Sequence, residues 1–283
     1  MIVVGETGSG KSSFCNVIIG KEHDDSAFPV SKTEKSATHK TTVVSQYFKG
    51  DHRCPIRVID TMGFNDDGRI NCDQLRRDDD EIKAELLAKL GEIDCVHLFI
   101  ICVNASNPHI PPSLVKMIHI FLEIYGFKVE NGKKVEDSAA FWKRCVVNLT
   151  RFSNSEADDK KRKKNGQTKD NLKKIIKEKF ELDFKLKLHG LVHLEYFCID
   201  SLYTEQDPSE CKMFNAETDR LYSVLLRNSA ARNFANYQKD QENKYLKATL
   251  KRLQNGNTNS GNNSSGKHNS KNDYNKRIDI FHI

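Results

Sequence analysis

The 283-residue chain is 37% hydrophobic and carries a net charge of +6 at neutral pH, which is enough apolar material for one good core. Lys and Arg are spread along the sequence rather than gathered on one stripe, so the charge marks no nucleic-acid footprint and nucleic acid is not an expected partner. The eight cysteines (15, 54, 72, 95, 102, 145, 198 and 211) form no C-x-x-C pair and read as reduced thiols of a cytoplasmic protein; the longest apolar run, 95–103, is too short to span a bilayer, and neither a signal peptide nor a C-terminal lipidation box is read.

The first predicted element is the strand Met1–Val4, which leads into Gly5-Glu6-Thr7-Gly8-Ser9-Gly10-Lys11-Ser12-Ser13 and then an amphipathic run from Phe14 to Ile19. Strand, glycine loop and helix are the setting that the Walker A pattern G-x-x-x-x-G-K-S requires. Gly5, Gly8 and Gly10 let the backbone approach a ligand closely. The loop N–H groups and the helix N-terminus then face phosphate oxygens. Lys11 can reach the β- and γ-phosphates, and Ser12 can place its hydroxyl on Mg²⁺. The strand is short, since a central strand usually has five or six residues. A truncated start or a marginal first strand is therefore expected.

Between residues 31 and 41 lies Ser36-Ala37-Thr38, a candidate switch I. A threonine here gives its hydroxyl to Mg²⁺ and its N–H to the γ-phosphate. Thr38 is favoured over Thr33, Thr41 and Thr42. The strand Thr42–Phe48 follows, then Ile56–Asp60, which ends in Asp60-Thr61-Met62-Gly63-Phe64. An apolar strand ending in D-x-x-G fits a Walker B and switch II layout. Asp60 would hold Mg²⁺ through water, and the Gly63 N–H would sense the γ-phosphate. Phe64 occupies the position where a Ras-like enzyme has its water-orienting glutamine, so isolated turnover should be slow. His39 and Lys40 are candidates to act across a dimer.

Asp78-Asp79-Asp80 opens a helix striped by Ile82, Leu86 and Leu90 and ended by Gly91. The strand Cys95–Val103 follows. Ser113 is expected to cap the next helix after Pro111-Pro112, and Gly126 to stop it. The strand Arg144–Leu149 leads into Thr150-Arg151-Phe152-Ser153-Asn154, where a base-reading T-K-x-D loop should stand. Ser153 or Asn154, depending on register, replaces the carboxylate. The Arg151 stem or the Phe152 ring can pack on a base face. Lys160–Lys164 reads either as an anionic-membrane or nuclear-import patch or, by preference, as a solvated loop before a helix from Thr168 to about Phe180. The last strand, Val192–Ile199, ends in Asp200-Ser201. Asp200 can supply the missing carboxylate, or it can be a plain cap.

This alternation predicts an α/β fold with a mostly parallel sheet and helices on both faces, which with the glycine loop reads as a P-loop NTPase with phosphates at the carboxyl ends of the strands. The domains expected are 1–205 for the G domain, 206–253 for a helical extension, and 254–283 for an Asn/Ser/Gly-rich disordered tail.

The segments G-E-T-G-S-G-K-S-S, S-A-T and D-T-M-G-F-N-D resemble the AIG-type (avirulence-induced-gene) GTPases, the GIMAP or immune-associated nucleotide-binding family. Septins and chloroplast import receptor GTPases share the pattern more distantly. The resemblance covers about residues 1–205. It implies a Ras-like G domain, GTP/GDP and Mg²⁺ binding, slow hydrolysis, homodimerisation in the triphosphate state, and an effector protein that the sequence does not identify. Glu6-Thr7 and Phe64 are its most family-like details. Two other readings compete: a nucleotide-binding assembly protein with negligible turnover, and an adenine-nucleotide ATPase or kinase using the same loop.

Overall fold

The strands run in chain order β1 (Ile2–Gly5), β2 (Thr42–Tyr47), β3 (Pro55–Asp60), β4 (Cys95–Val96), β5 (Phe99–Asn104), β6 (Phe127–Glu130), β7 (Lys133–Glu136), β8 (Cys145–Thr150), β9 (Glu195–Phe197) and β10 (Arg232–Asn233). The helices are α1 (Lys11–Ile18), α2 (Pro112–Tyr125), α3 (Ser138–Trp142), α4 (Glu156–Lys164), α5 (Lys169–Phe184) and α6 (Pro208–Arg227). The computed structural model describes residues 1–21, 27–30, 41–63, 84, 86–90, 93, 95–130, 133–184, 194–203, 206–228 and 232–233. Thr38, His39, Lys40, Phe64 and the 254–283 tail lie outside them.

Six strands form one sheet in the order β2-β3-β1-β5-β8-β9. All neighbours are parallel except β2 and β3. Parallel strands covered on both faces should be apolar throughout. Accordingly β1 and β8 are buried at every position, and β5 at all but Asn104. β1 is only four residues long, yet it pairs on both sides, with Ile2 opposite both Ile59 and Phe99. This is the P-loop GTPase G-domain fold.

The expected strand Cys95–Val103 is two strands. Its first residues pair antiparallel with β10, Val96 opposite Arg232, while β5 turns to β1 and β8. The change of partner breaks the strand at His97-Leu98. β9 is shorter than Val192–Ile199, because side chains take the backbone groups at its end. Ile199 N–H donates to Asn148 Oδ1 at 3.0 Å and Cys198 N–H to Glu217 Oε2 at 3.2 Å. Arg220 of α6 donates to the Tyr196 carbonyl and lies over the Phe197 ring at 4.0 Å.

α2 starts at Pro112, with Pro111 as its N-cap, so Ser113 sits buried within the first turn instead of capping it. Proline at N1 has no N–H to leave orphaned and is preset for the helix. Gly126 follows the helix, and its N–H closes on Leu122 O. α5 runs on to Phe184, whose ring packs against Trp142 and His119.

The expected solvated loop at Lys160–Lys164 is the second half of α4. Ser155 Oγ accepts from Asp158 N–H, the first turn is acidic and the last basic, as the helix dipole favours. Lys160–Glu156 and Lys163–Asp159 ion pairs line it, and none of its residues is buried. Solvation holds for this segment, but the backbone is helical.

α6 is capped by Asp207, with Pro208 at N1. It buries Phe214, Leu221 and Val224 in the cluster that also holds Met1, Phe48 and Ile56. The compact unit therefore runs Met1–Ala235 and takes in this helix, beyond the 205 boundary drawn from sequence. Among the described residues no helix is long and apolar enough to cross a membrane.

Leu221 is 1% exposed. Leu221→Ala should lower the unfolding free energy by about 2–5 kcal/mol, read from urea denaturation of the whole chain. A loss near zero would mean that α6 is an appendage rather than part of the core.

Candidate functional site

At the carboxyl end of β1 the chain turns through residues 5–10 into α1. Gly8 and Gly10 adopt φ of 77° and 83°, a left-handed conformation that glycine takes without a Cβ penalty. Gly5 has no room for a side chain: a Cβ would lie 2.6 Å from the Cys102 carbonyl oxygen. Gly10 is the N-cap of α1 and contributes no side chain to the cap. The first turn of that helix thus begins with Lys11 and Ser12 beside the loop.

Lys11 is only 5% exposed, and its Nζ donates to Glu6 O across the loop at 2.9 Å. Ser12 Oγ donates to Asp60 Oδ2 at 2.6 Å. Asp60, at the end of β3, is fully buried, and its Oδ1 has no hydrogen-bond partner among the described residues. Burial pushes the Asp60 carboxyl above its usual range, and Lys11 and the Ser12 hydroxyl oppose it. Burial likewise pulls Lys11 down, against the attraction of Asp60. Both groups are pressed toward their neutral forms, so each would gain from ligand charge of the opposite sign.

Buried polar atoms without partners are costly and uncommon. Three gather in this site: Asp60 Oδ1, Thr7 Oγ1 and Ser9 Oγ. The donor set fits a phosphate chain with a hard cation. The cation would meet hydroxyl and carboxylate oxygens from Ser12 and Asp60, and the phosphates would meet Lys11 and the loop N–H groups. Gly63 packs directly on the loop, since a Cβ there would lie 2.7 Å from Thr7 N. Gly63 and the glycine loop, far apart in sequence, are therefore adjacent. Ser13 lies half-buried in α1, and the Glu6 side chain is exposed.

The loop after β8 is tied to the same place. Thr150 Oγ1 donates to Ser9 O at 2.5 Å and approaches Val103 O at 3.2 Å. Arg151 adopts φ 56°, which a non-glycine residue rarely does, and its Nη2 donates to Gly8 O at 3.2 Å. Phe152 points inward: it is 6% exposed and Arg162 lies over its ring at 4.0 Å. It is thus covered by protein rather than presented to a base.

Ser153 Oγ donates to Glu210 Oε1 at 2.7 Å, and Asn154 Nδ2 donates to Cys198 O at 3.4 Å. Asp200 is also buried, and its Oδ1 accepts from Leu202 N–H at 3.1 Å. Burial raises its carboxyl above the usual range, with Glu210 adding to the rise and Arg151 and Arg162 opposing it.

The structure thus brings together Gly5–Ser12, Asp60 and Gly63, and joins Thr150 and Arg151 to them. Thr38 lies outside the described residues. Sequence reasoning missed the tether made by Thr150 and the approach of Glu210. Asp207-Pro208-Ser209-Glu210 signals a helix start, but not which loop the glutamate faces. Cys15 and Cys102, both buried near Lys11, are small core residues; burial pushes the Cys102 thiol up to about 12.

Residues 1–129 match the family model described as 50S ribosome-binding GTPase. No curated protein matches the sequence. Among solved structures, the chain is similar to Toc33 from Arabidopsis thaliana in complex with GDP and Mg²⁺, at TM-score 0.51 and 16% identity over 81% of this chain and 85% of that one. A dimerisation-deficient mutant of Toc33 gives 0.52, with the same identity and coverage. A further structure, on dimerisation being important for the GTPase activity of the chloroplast translocon components atToc33 and psToc159, gives 0.51 at 16% identity over 82% and 84%.

Thr150→Val keeps the shape of the side chain but removes the donor that holds Ser9 O. It should cost about 1–2 kcal/mol of unfolding free energy, measured by denaturant titration without nucleotide. An unchanged midpoint would show that the tether contributes nothing to the loop.

Proposed function

We propose that the chain is a guanine-nucleotide-binding switch of the AIG-type and Toc-like kind. It binds GTP with Mg²⁺, hydrolyses it slowly, and does so through nucleotide-dependent dimerisation. The observation that carries this reading is the buried Lys11–Ser12–Asp60 arrangement against a left-handed glycine loop. The GDP and Mg²⁺ held by a protein of the same fold support the choice of ligand.

In this reading Lys11 leaves the Glu6 carbonyl for the β- and γ-phosphates, and the helix N-terminus adds its partial positive charge. Ser12 and Asp60 are the residues that would hold a Mg²⁺ ion, which would supply charge neutralisation to the phosphates. Gly63, seated on Thr7, offers its N–H to the γ-phosphate and couples the loop that follows to the nucleotide state. Thr38, outside the described residues, would be the switch I ligand to that ion. Arg151, laid over Gly8, borders the base end together with Asp200.

Turnover is slow because Phe64 cannot orient a water. A rate near that of unassisted Ras, roughly 10⁻⁴ s⁻¹, is the scale for the monomer. A cation from a second copy, with His39 and Lys40 as the candidates in this sequence, would raise it. The solved structure that ties dimerisation to GTPase activity in atToc33 and psToc159 supports this step. The partner downstream is an effector protein that recognises the triphosphate state.

Titrating labelled GDP, GTP, ADP and ATP with Mg²⁺ tests the reading. GTP and GDP should bind more tightly than their adenine counterparts; equal binding would remove the guanine preference, and tighter adenine binding would make the chain an adenine-nucleotide P-loop protein. Lys11→Ala should abolish most affinity for every nucleotide, since the phosphates lose their point charge. Ser12→Ala should weaken only the Mg²⁺-dependent part, chiefly for the triphosphate. Retained affinity in Lys11→Ala would remove the glycine loop from the site.

Catalysis has its own readout. Single-turnover hydrolysis, followed over a wide protein range alongside light scattering, should show a specific rate that rises as dimers form. A fast rate that stays flat in a monomer would mean that the chain carries its own water-orienting group.

A further inference from the structure

One buried carboxylate beside the nucleotide site belongs to no motif of the sequence. Glu210 stands in the first turn of α6, three residues after the cap Asp207, whose Oδ1 accepts from the N–H groups of Ser209 and Glu210. The glutamate at this position of a capping box usually reaches back to its own N-cap N–H. Glu210 is 6% exposed and its Oε1 accepts from Ser153 Oγ, 57 residues away, at 2.7 Å.

Ser153 is where a T-K-x-D loop, aligned on Thr150, has its aspartate. In that aspartate the carboxyl carbon stands where Ser153 has Oγ. The side chain of Ser153 thus lacks the two carboxylate oxygens of the usual reader, and a carboxylate oxygen of Glu210 lies 2.7 Å from its Oγ. The position is anchored. Thr150 and Arg151 tie this loop through their side chains to the carbonyls of Ser9 and Gly8. Asp200 is the other buried carboxylate here, and its Oδ1 accepts from Leu202 N–H in a tight turn.

Resting on the nucleotide-binding reading above, we propose that Glu210, oriented by Ser153, is the base-reading group of this site: its carboxylate accepts hydrogen bonds from the N1–H and the exocyclic amine of guanine. Adenine turns an N1 acceptor toward the same place, so acceptor meets acceptor and binding is rejected. The T-K-x-D function is thereby supplied from α6 instead of from the loop itself. Ser153 is a positioning residue in this arrangement, and it touches the base only through Glu210.

The test uses the full chain and fluorescent GTP, ATP, inosine triphosphate and xanthosine triphosphate, each with Mg²⁺. Glu210→Gln should lower GTP affinity by roughly ten- to a hundred-fold, the size of a lost charged hydrogen bond, and leave ATP within about two-fold. Xanthosine triphosphate should gain, because the new amide can donate to its C2 carbonyl. The parent should prefer GTP to inosine triphosphate, which lacks the amine, and Glu210→Gln should erase that preference. Adding Ser153→Asp to Glu210→Gln should restore GTP over ATP, a rescue that a mere strut would not give.

An unchanged GTP/ATP ratio in Glu210→Gln, or equal weakening of all four nucleotides, overturns the assignment. So does a ratio that collapses in Asp200→Asn and not in Glu210→Gln. If Glu210→Gln does not fold by circular dichroism, Ser153→Ala takes its place; a lowered GTP/ATP ratio supports the assignment and an unmoved one overturns it. A parent that binds ATP as tightly as GTP through Lys11 leaves the phosphate site standing and removes Glu210 as its reader. A parent that binds no nucleotide removes both.

Discussion

A carboxylate and an ammonium are buried together where β1 and β3 end, and neither is fully satisfied there. Asp60 keeps an oxygen without a partner, while Lys11 spends its charge on a backbone carbonyl. Burying such a pair costs free energy that its own attraction recovers only in part. The rest of the domain supplies the difference. The apolar runs of β1, β5 and β8 form a rigid floor, α1 holds Lys11 and Ser12 in its first turn while β3 ends on Asp60, and Gly5 lets the loop pass against Cys102. Each of the two groups would gain from charge of the opposite sign brought to it.

The same constraint explains why the loop after β8 is where it is. A glycine loop has little side-chain substance of its own to hold it. Thr150 and Arg151 give it two anchors on consecutive carbonyls, Ser9 and Gly8. Arg151 adopts a left-handed backbone to do so. Such strain persists where the surroundings over-determine it, and here the carbonyl at one end of the residue and the buried Phe152–Arg162 stack at the other do so. A segment that lacks the T-K-x-D carboxylate in sequence is thus docked on the glycine loop.

Much of this was legible from residues alone. The glycine loop, the strand ending in Asp60 and the parallel core followed from local pattern, because apolar runs and glycines act within a few residues of themselves. What escaped was decided from a distance. β9 stops early because Asn148 and Glu217, from other elements, take its N–H groups. α4 was read as a loop because it has no apolar stripe; its only signals were the Ser155 cap and the ordering of acidic before basic residues. Glu210 becomes a neighbour of Ser153 only once α6 docks, and nothing in the local sequence states that docking.

The way α6 lies along β9 has a consequence for assembly. An edge strand offers a row of unpaired backbone groups on which another strand can grow. On β9 the outward carbonyl of Tyr196 is taken by Arg220 and the next outward N–H, that of Cys198, by Glu217. Two side chains that also pair with each other therefore close this border of the sheet to a foreign strand. The molecule is protected there from edge-to-edge stacking in crowded solution, and copies that meet must do so through surfaces other than a continued β-ladder at β9.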